Sequence, residues 1–112
     1  MNAVLDPARE HVVLINTFQV EPGDAEPLIA LLEEATEKAM RHIPGFISAN
    51  LHISDDRTRV VNYAQWQSRE AFEAMQRDPR AGEHMGKAAK LAKSFDPVLY
   101  TLRYSEAVSE DA

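Results

Sequence analysis

Val60-Val61-Asn62-Tyr63-Ala64-Gln65-Trp66 is the stretch from which the rest of the chain can be read. β-Branched and aromatic residues dominate it, as in a strand, and Ser68 follows where a helix would need its cap. Side chains alternate across a strand, so Val60, Asn62, Ala64 and Trp66 share one face. Arg59, Val61, Tyr63 and Gln65 take the other. An amide and the chain's only indole therefore point into the same space.

Upstream, Phe46 to Ser54 reads as the hairpin partner of this strand, joined to it by a turn at Asp55-Asp56-Arg57. Alternation puts Phe46, Ser48, Asn50 and His52 on one side and Ile47, Ala49, Leu51 and Ile53 on the other. Further back, His11 to Val20 is a strand with apolar residues on both faces, which implies that both are covered. Glu21-Pro22-Gly23-Asp24 interrupts it. A helix then extends to about His42, with Leu28, Leu31, Leu32, Ala35 and Ala39 along one stripe and the acidic residues outside it. Pro44-Gly45 closes that helix.

Downstream, Ser68 caps a helix carrying Ala71, Phe72, Ala74 and Met75, which Asp78-Pro79 interrupts. A further helix over Arg80 to Lys93 places Ala81, His84, Met85, Ala88, Leu91 and Ala92 on one side. After a break at Phe95-Asp96-Pro97, Val98 to Tyr104 is the last strand. The order β-α-β-β-α(α)-β is the ferredoxin-like split βαβ, an α+β plan whose helices cover one face of a four-stranded antiparallel sheet. The organisation expected is a loose arm over 1–10, one domain over 11–105 and a frayed acidic tail over 106–112.

Val13, Ile15, Ile47, Ala49, Leu51, Ile53, Val61 and Tyr63 are assigned to the face without helices. That patch is too large for a monomer to leave exposed. A homodimer joined sheet to sheet is expected.

With 112 residues, 45% hydrophobic and 27% charged, the chain has the make-up of one small soluble domain. A net charge of −6 disfavours nucleic acid and anionic membranes as partners. Cysteine is absent, which removes disulfides, thiolate metal sites and cysteine nucleophiles. No apolar run could span a bilayer, and the first ten residues lack a basic segment followed by an apolar one. The expected compartment is the cytoplasm. Neither a Gly-rich phosphate loop nor a G-x-S-x-G elbow occurs, and the histidines show no metal-ligand spacing.

The Val60 to Trp66 run, the Ser68 to Phe72 segment and the Pro44-Gly45-Phe46 turn together resemble the antibiotic biosynthesis monooxygenase family over roughly residues 11 to 105. Within it the likeness is to the quinone-forming enzymes of aromatic polyketide pathways, the actinorhodin type. The resemblance implies a dimeric α+β barrel with a pocket between sheet and helices in each subunit. It implies oxidation of a phenolic, anthrone-like substrate to a quinone with molecular oxygen as co-substrate, using neither metal nor flavin. On that pattern Asn62 donates to the developing oxyanion, Trp66 donates its indole N–H and walls the substrate, and His52 is a base or hydrogen-bond partner. Phe72, Asn16, His84 and Met75 would line the substrate site. The actinorhodin type has a tyrosine where this chain has Phe72, and an arginine in the region around Glu83 to Lys87. Heme-degrading relatives use an asparagine, a tryptophan and an iron-ligating histidine at the places held here by Asn16, Trp66 and His84.

Blander readings stand beside these. Trp66 reads equally as a core residue with its N–H on a carbonyl, and Asn62 as part of a structural amide network. His52 reads as an edge histidine and His84 as one satisfied between helix and sheet. A non-catalytic ligand-binding dimer is the third functional alternative.

Overall fold

In the computed structural model, which describes residues 11–108, the opening stretch is the second strand in from one edge of a four-stranded sheet. The elements are β1 (Val12–Gln19), α1 (Ala25–Lys38), β2 (Phe46–Ile53), β3 (Arg59–Trp66), α2 (Arg69–Arg77), α3 (Pro79–Leu91) and β4 (Ser94–Thr101). Single turns of 3-10 helix at Pro22–Asp24 and Met40–His42 flank α1. The strand order is β2-β3-β1-β4, with every pairing antiparallel. This is the split βαβ arrangement expected from the sequence. The expected arm over 1–10 and residues 109–112 of the tail lie outside the described residues. Residues 102–108 have no regular structure.

Local chemistry explains the boundaries. Ser68 is extended, and its hydroxyl oxygen accepts the Ala71 N–H at 3.1 Å to cap α2. Asp78 precedes a proline and is extended, which ends α2. Its carboxylate accepts the Arg80 N–H at 2.8 Å and so caps α3, with Pro79 at the first helical position. Gly45 has φ +93°, and a Cβ there would collide with the Ala71 side chain. Only glycine permits both that backbone and the approach of α2. The Gly45 carbonyl then accepts the Gln67 N–H at 2.8 Å, tying the start of β2 to the end of β3.

The helices cover the face bearing Leu14, Asn16 and Phe18 of β1 and, across the register, Ala64, Asn62 and Val60 of β3. Two clusters fill it. One gathers Leu14, Ile43, Ala64, Trp66, Phe72, Met75 and Ala81. The other gathers Phe18, Val20, Ala25, Leu28, Leu32, Val60 and Ala88.

Two expectations are corrected. The first concerns β2, where the register slips between Phe46 and Ser48 and leaves Ile47 without a partner. Such a bulge reverses the alternation beyond it. Ala49, Leu51 and Ile53 therefore face the helices beside Ala64, Asn62 and Val60, while Ser48, Asn50 and His52 point to the open face. The open face is thus more polar than expected. Its apolar part is Val13, Ile15, Val61 and Tyr63, extended by Val98 and Tyr100 of β4.

The second concerns β4, which begins at Ser94 rather than Val98 and ends at Thr101 rather than Tyr104. Phe95-Asp96-Pro97 lies inside the strand. Proline is tolerated because β4 is an edge, paired with β1 alone. The Asn16 side-chain carbonyl accepts the Asp96 N–H at 3.1 Å beside it.

Candidate active site

β3 and β1 carry the polar part of the site. Asn62 lies directly opposite Asn16 in the register, and both face the helices. Trp66 sits one turn of alternation beyond Ala64 on the same face, buried at the end of β3. Its indole is edge-on to Phe46, with centroids 5.4 Å apart and planes at 85°, and edge-on to Phe72 at 6.4 Å and 74°. Such T-shaped contacts hold a ring in one orientation.

Between sheet and helices lies a cavity of about 270 Å³. Trp66, Phe46, Phe72 and Met75 form one end, at the level of Val12 on β1. Phe18 and Phe95 form the other, and Phe95 is half exposed where the cavity meets solvent. The six-residue interval between those levels spans about 20 Å at ~3.3 Å per strand residue. Ala81, Gly82 and Met85 of α3 supply part of the remaining wall. It is an elongated, mostly apolar slot.

Apart from the exposed Gln76, the polar side chains in it fall into two kinds. Asn62 Oδ1 and Trp66 Nε1 are buried and make no hydrogen bond. Leaving such a group unpaired costs about 1–3 kcal/mol, which makes each of them a feature that needs a reason. Asn16 differs. Its Oδ1 holds the Asp96 N–H, which fixes the amide and leaves its NH₂ as the donor available to the cavity. Thr36 also reaches the wall, but its hydroxyl donates to the Leu32 carbonyl at 2.9 Å. Among the described residues lining the slot there is no Asp, Glu, His, Lys, Arg or Tyr.

Of the residues expected to form the site, Asn62, Trp66, Asn16, Phe72 and Met75 come together around this cavity. His52 does not. The β2 bulge turns it to the opposite face of the sheet, where it pairs with Val61, is exposed, and has its Nδ1 3.2 Å from the Asn50 carbonyl oxygen. Without the bulge its parity would match Asn62, which is why counting along the strand misplaced it. His84 lies on the stripe of Ala81 and Ala88 but is not in the cavity wall, although its Nδ1 is buried without a partner. Ala81, Gly82 and Met85 hold that wall instead. Phe95 and Pro97 of the wall were missed because the strand was started after them. Pro97 itself was the misleading signal. Among the described residues, no group of three or more His, Cys, Asp or Glu is placed to hold a metal ion, and no helix is long and apolar enough to cross a membrane.

Comparison with known proteins agrees with this fold. Residues 11–90 match the family described as antibiotic biosynthesis monooxygenase. The chain is 44% identical over 82 residues to tetracenomycin-F1 monooxygenase of Streptomyces glaucescens, covering 73% of each chain. Among solved structures it resembles a monooxygenase from the gene ActVA-Orf6 of Streptomyces coelicolor, crystallised with nanaomycin D. That match has a TM-score of 0.83 and 34% identity, covering 91% of this chain and 96% of the other. SnoaB of Streptomyces nogalater, a cofactor-independent oxygenase, shares the fold at TM-score 0.77 and 23% identity, over 86% of this chain and 96% of its own. The chain belongs to the antibiotic biosynthesis monooxygenase family.

Proposed function

We propose that this monooxygenase oxidises a phenolic, anthrone-like polycyclic aromatic to a quinone with molecular oxygen, and that it does so without metal or flavin. The observation that carries the reading is the pairing of an apolar slot with two buried, unpartnered polar atoms, Asn62 Oδ1 and Trp66 Nε1, on one strand. Relatives named for tetracenomycin F1 and for a nanaomycin D complex support an aromatic polyketide as substrate.

Triplet oxygen reacts slowly with closed-shell molecules, so the substrate must first lose a proton and become an electron-rich anion. The slot's wall supplies no ionisable side chain to take that proton. The substrate therefore enters as its anion or loses its proton to water, and the protein's part is to favour the anion. Each unit of acidity gained needs about 1.4 kcal/mol of preferential stabilisation. The Trp66 N–H and the side-chain NH₂ groups of Asn16 and Asn62 can provide it in a dry site, while Asn62 Oδ1 is free to accept a hydroxyl of the substrate. The anion passes one electron to oxygen, and the resulting radical and superoxide combine with uptake of a proton to form a carbon-bound hydroperoxide. Loss of water then leaves the new carbonyl. One oxygen atom enters the product, the other leaves as water, and the substrate supplies all the electrons.

Oxygen consumption by metal-stripped protein with a simple anthrone such as dithranol tests this. Uptake with quinone formation, lost in Asn62→Ala, is expected. No acceleration over buffer sinks it for this substrate class. Because the wall holds no titrating group, the rate should rise with pH along the substrate's own ionisation. A profile that stays put when the anthrone is exchanged for one of different acidity would show a protein base at work. The position of His84 outside the cavity wall favours the oxygenase over the heme alternative.

The partly or fully exposed apolar residues of the open face, Ile15, Val61, Tyr63, Val98 and Tyr100, suit a second copy of the chain packed sheet to sheet. Light scattering should report a dimer, and a monomer would refute that arrangement.

A further inference from the structure

Four methionines occur in the chain, and the three among the described residues, Met40, Met75 and Met85, all line the cavity. A thioether suits an uneven apolar wall, because it is flexible and polarisable. It is also readily oxidised, and a peroxide converts it to the sulfoxide. Among the described residues of the wall there is no cysteine, histidine or tyrosine. These three sulfurs and the Trp66 indole are therefore its oxidisable side chains.

The methionines differ in access and in place. Met75 is buried, whereas Met40 and Met85 are half-buried. On α2, Met75 stands one helical turn from Phe72, and both belong to the packed cluster that holds Ala64 and Trp66. Ala64 is the residue between Asn62 and Trp66 on that face of β3. Met75 is thus grouped with the part of the strand that lies between the two unpartnered polar atoms. Met40 packs on the margin of the same cluster, and Met85 packs against the Phe18 cluster instead. The methionine least open to solvent is in the company of the candidate reacting centre.

We propose that Met75 is an oxidative modification site, its sulfur taking an oxygen atom from the carbon-bound hydroperoxide whenever that intermediate fails to lose water. This rests on the anthrone-oxidation reading of the same cavity. The sulfur lone pair attacks the terminal peroxide oxygen. An S–O bond forms as the O–O bond breaks, and the hydroperoxide proton passes to the oxygen left on carbon. Sulfur loses two electrons and the peroxide gains them. The sulfoxide oxygen therefore comes from molecular oxygen, and the aromatic leaves as an alcohol instead of a quinone. A polar sulfoxide then stands in the apolar wall.

The test is turnover of dithranol under isotopically heavy oxygen gas, with catalase and superoxide dismutase present, followed by mass mapping of the methionine peptides. In parallel, the protein without substrate is exposed to hydrogen peroxide. Free peroxide should follow solvent access and oxidise Met40 and Met85 before Met75. Turnover should reverse that order and place the heavy isotope in Met75, about tenfold more than in Met85. Oxygen uptake with no heavy isotope in Met75 overturns the proposal alone. So does more label in Met40 or Met85 than in Met75, or free peroxide that already favours Met75. No uptake above that of buffer overturns it together with the oxygenase reading.

Discussion

The two faces of β3 treat their polar side chains in opposite ways. On the open face, Ser48 donates its hydroxyl to Gln65 Oε1 at 2.8 Å, and Asn50 Nδ2 donates to the Tyr63 carbonyl at 2.9 Å and to Ser48 Oγ at 3.3 Å. These groups satisfy one another across β2 and β3. On the helix face, three residues along the same strand from Gln65, the Asn62 carbonyl is buried with nothing to accept from, and the Trp66 N–H has nothing to donate to. One set spends its hydrogen bonds on holding the sheet in register. The other keeps them for something that arrives. A buried polar group with partners is a structural element, and one without them in an apolar slot is an expectation of a ligand.

The sharpest way to break this comparison is Asn62→Leu. If Asn62 is kept for the substrate, oxygen uptake should fall about 10²- to 10³-fold, the loss typical of an oxyanion donor. Stability in urea should stay the same or rise by about 1 kcal/mol, because an unpaired buried amide gives way to an apolar side chain of similar size. A variant destabilised by more than about 1 kcal/mol would place Asn62 among the structural amides instead.

Ser48→Ala probes the other face. It removes the donor to Gln65 Oε1 and the acceptor for Asn50, so urea unfolding should show a loss of about 1 kcal/mol. The anthrone oxidation rate should remain within about twofold. A large loss of rate at unchanged stability would reverse the roles assigned to the two faces.

The smallest effect belongs to the hairpin that joins them. Hydrogen bonds from the Thr58 hydroxyl and N–H and the Ser54 hydroxyl lower the Asp56 carboxyl from 3.8 to about 2. A depressed folded-state pKa means that the contribution is complete above the unfolded value and is lost as pH falls through the folded one. Acid titration of thermal stability should therefore lose a small component between pH 3.8 and about 2. Asp56→Asn should lack that component. Persistence of the full slope in the variant would assign it to other carboxyls.

How far the site could be read in advance depended on one inserted residue. Alternation along β3 placed Asn62 with Trp66 correctly, because that strand has no irregularity in its pairing with β1. The same counting along β2 sent His52 into the pocket and Ala49, Leu51 and Ile53 out of it. A bulge leaves no mark in hydrophobic alternation until its position is known, and Ile47 looks like any strand residue. Pro97 misled in a similar manner. Proline argues against a central strand, but whether a strand is central or an edge is a property of the sheet.

Element order, the cap at Ser68, the interruption at Asp78-Pro79 and the company of Asn62 with Trp66 were determined by the sequence itself. Each rests on interactions within a few residues or on strict periodicity, which local chemistry dictates. Which histidines reach the cavity, that Asn16 is fixed by the backbone of β4, and that Met40, Met75 and Met85 share one cavity wall were decided only by the tertiary structure. Those facts depend on register and on the packing of elements distant in the chain, where one residue of slip exchanges the inside of the sheet for the outside.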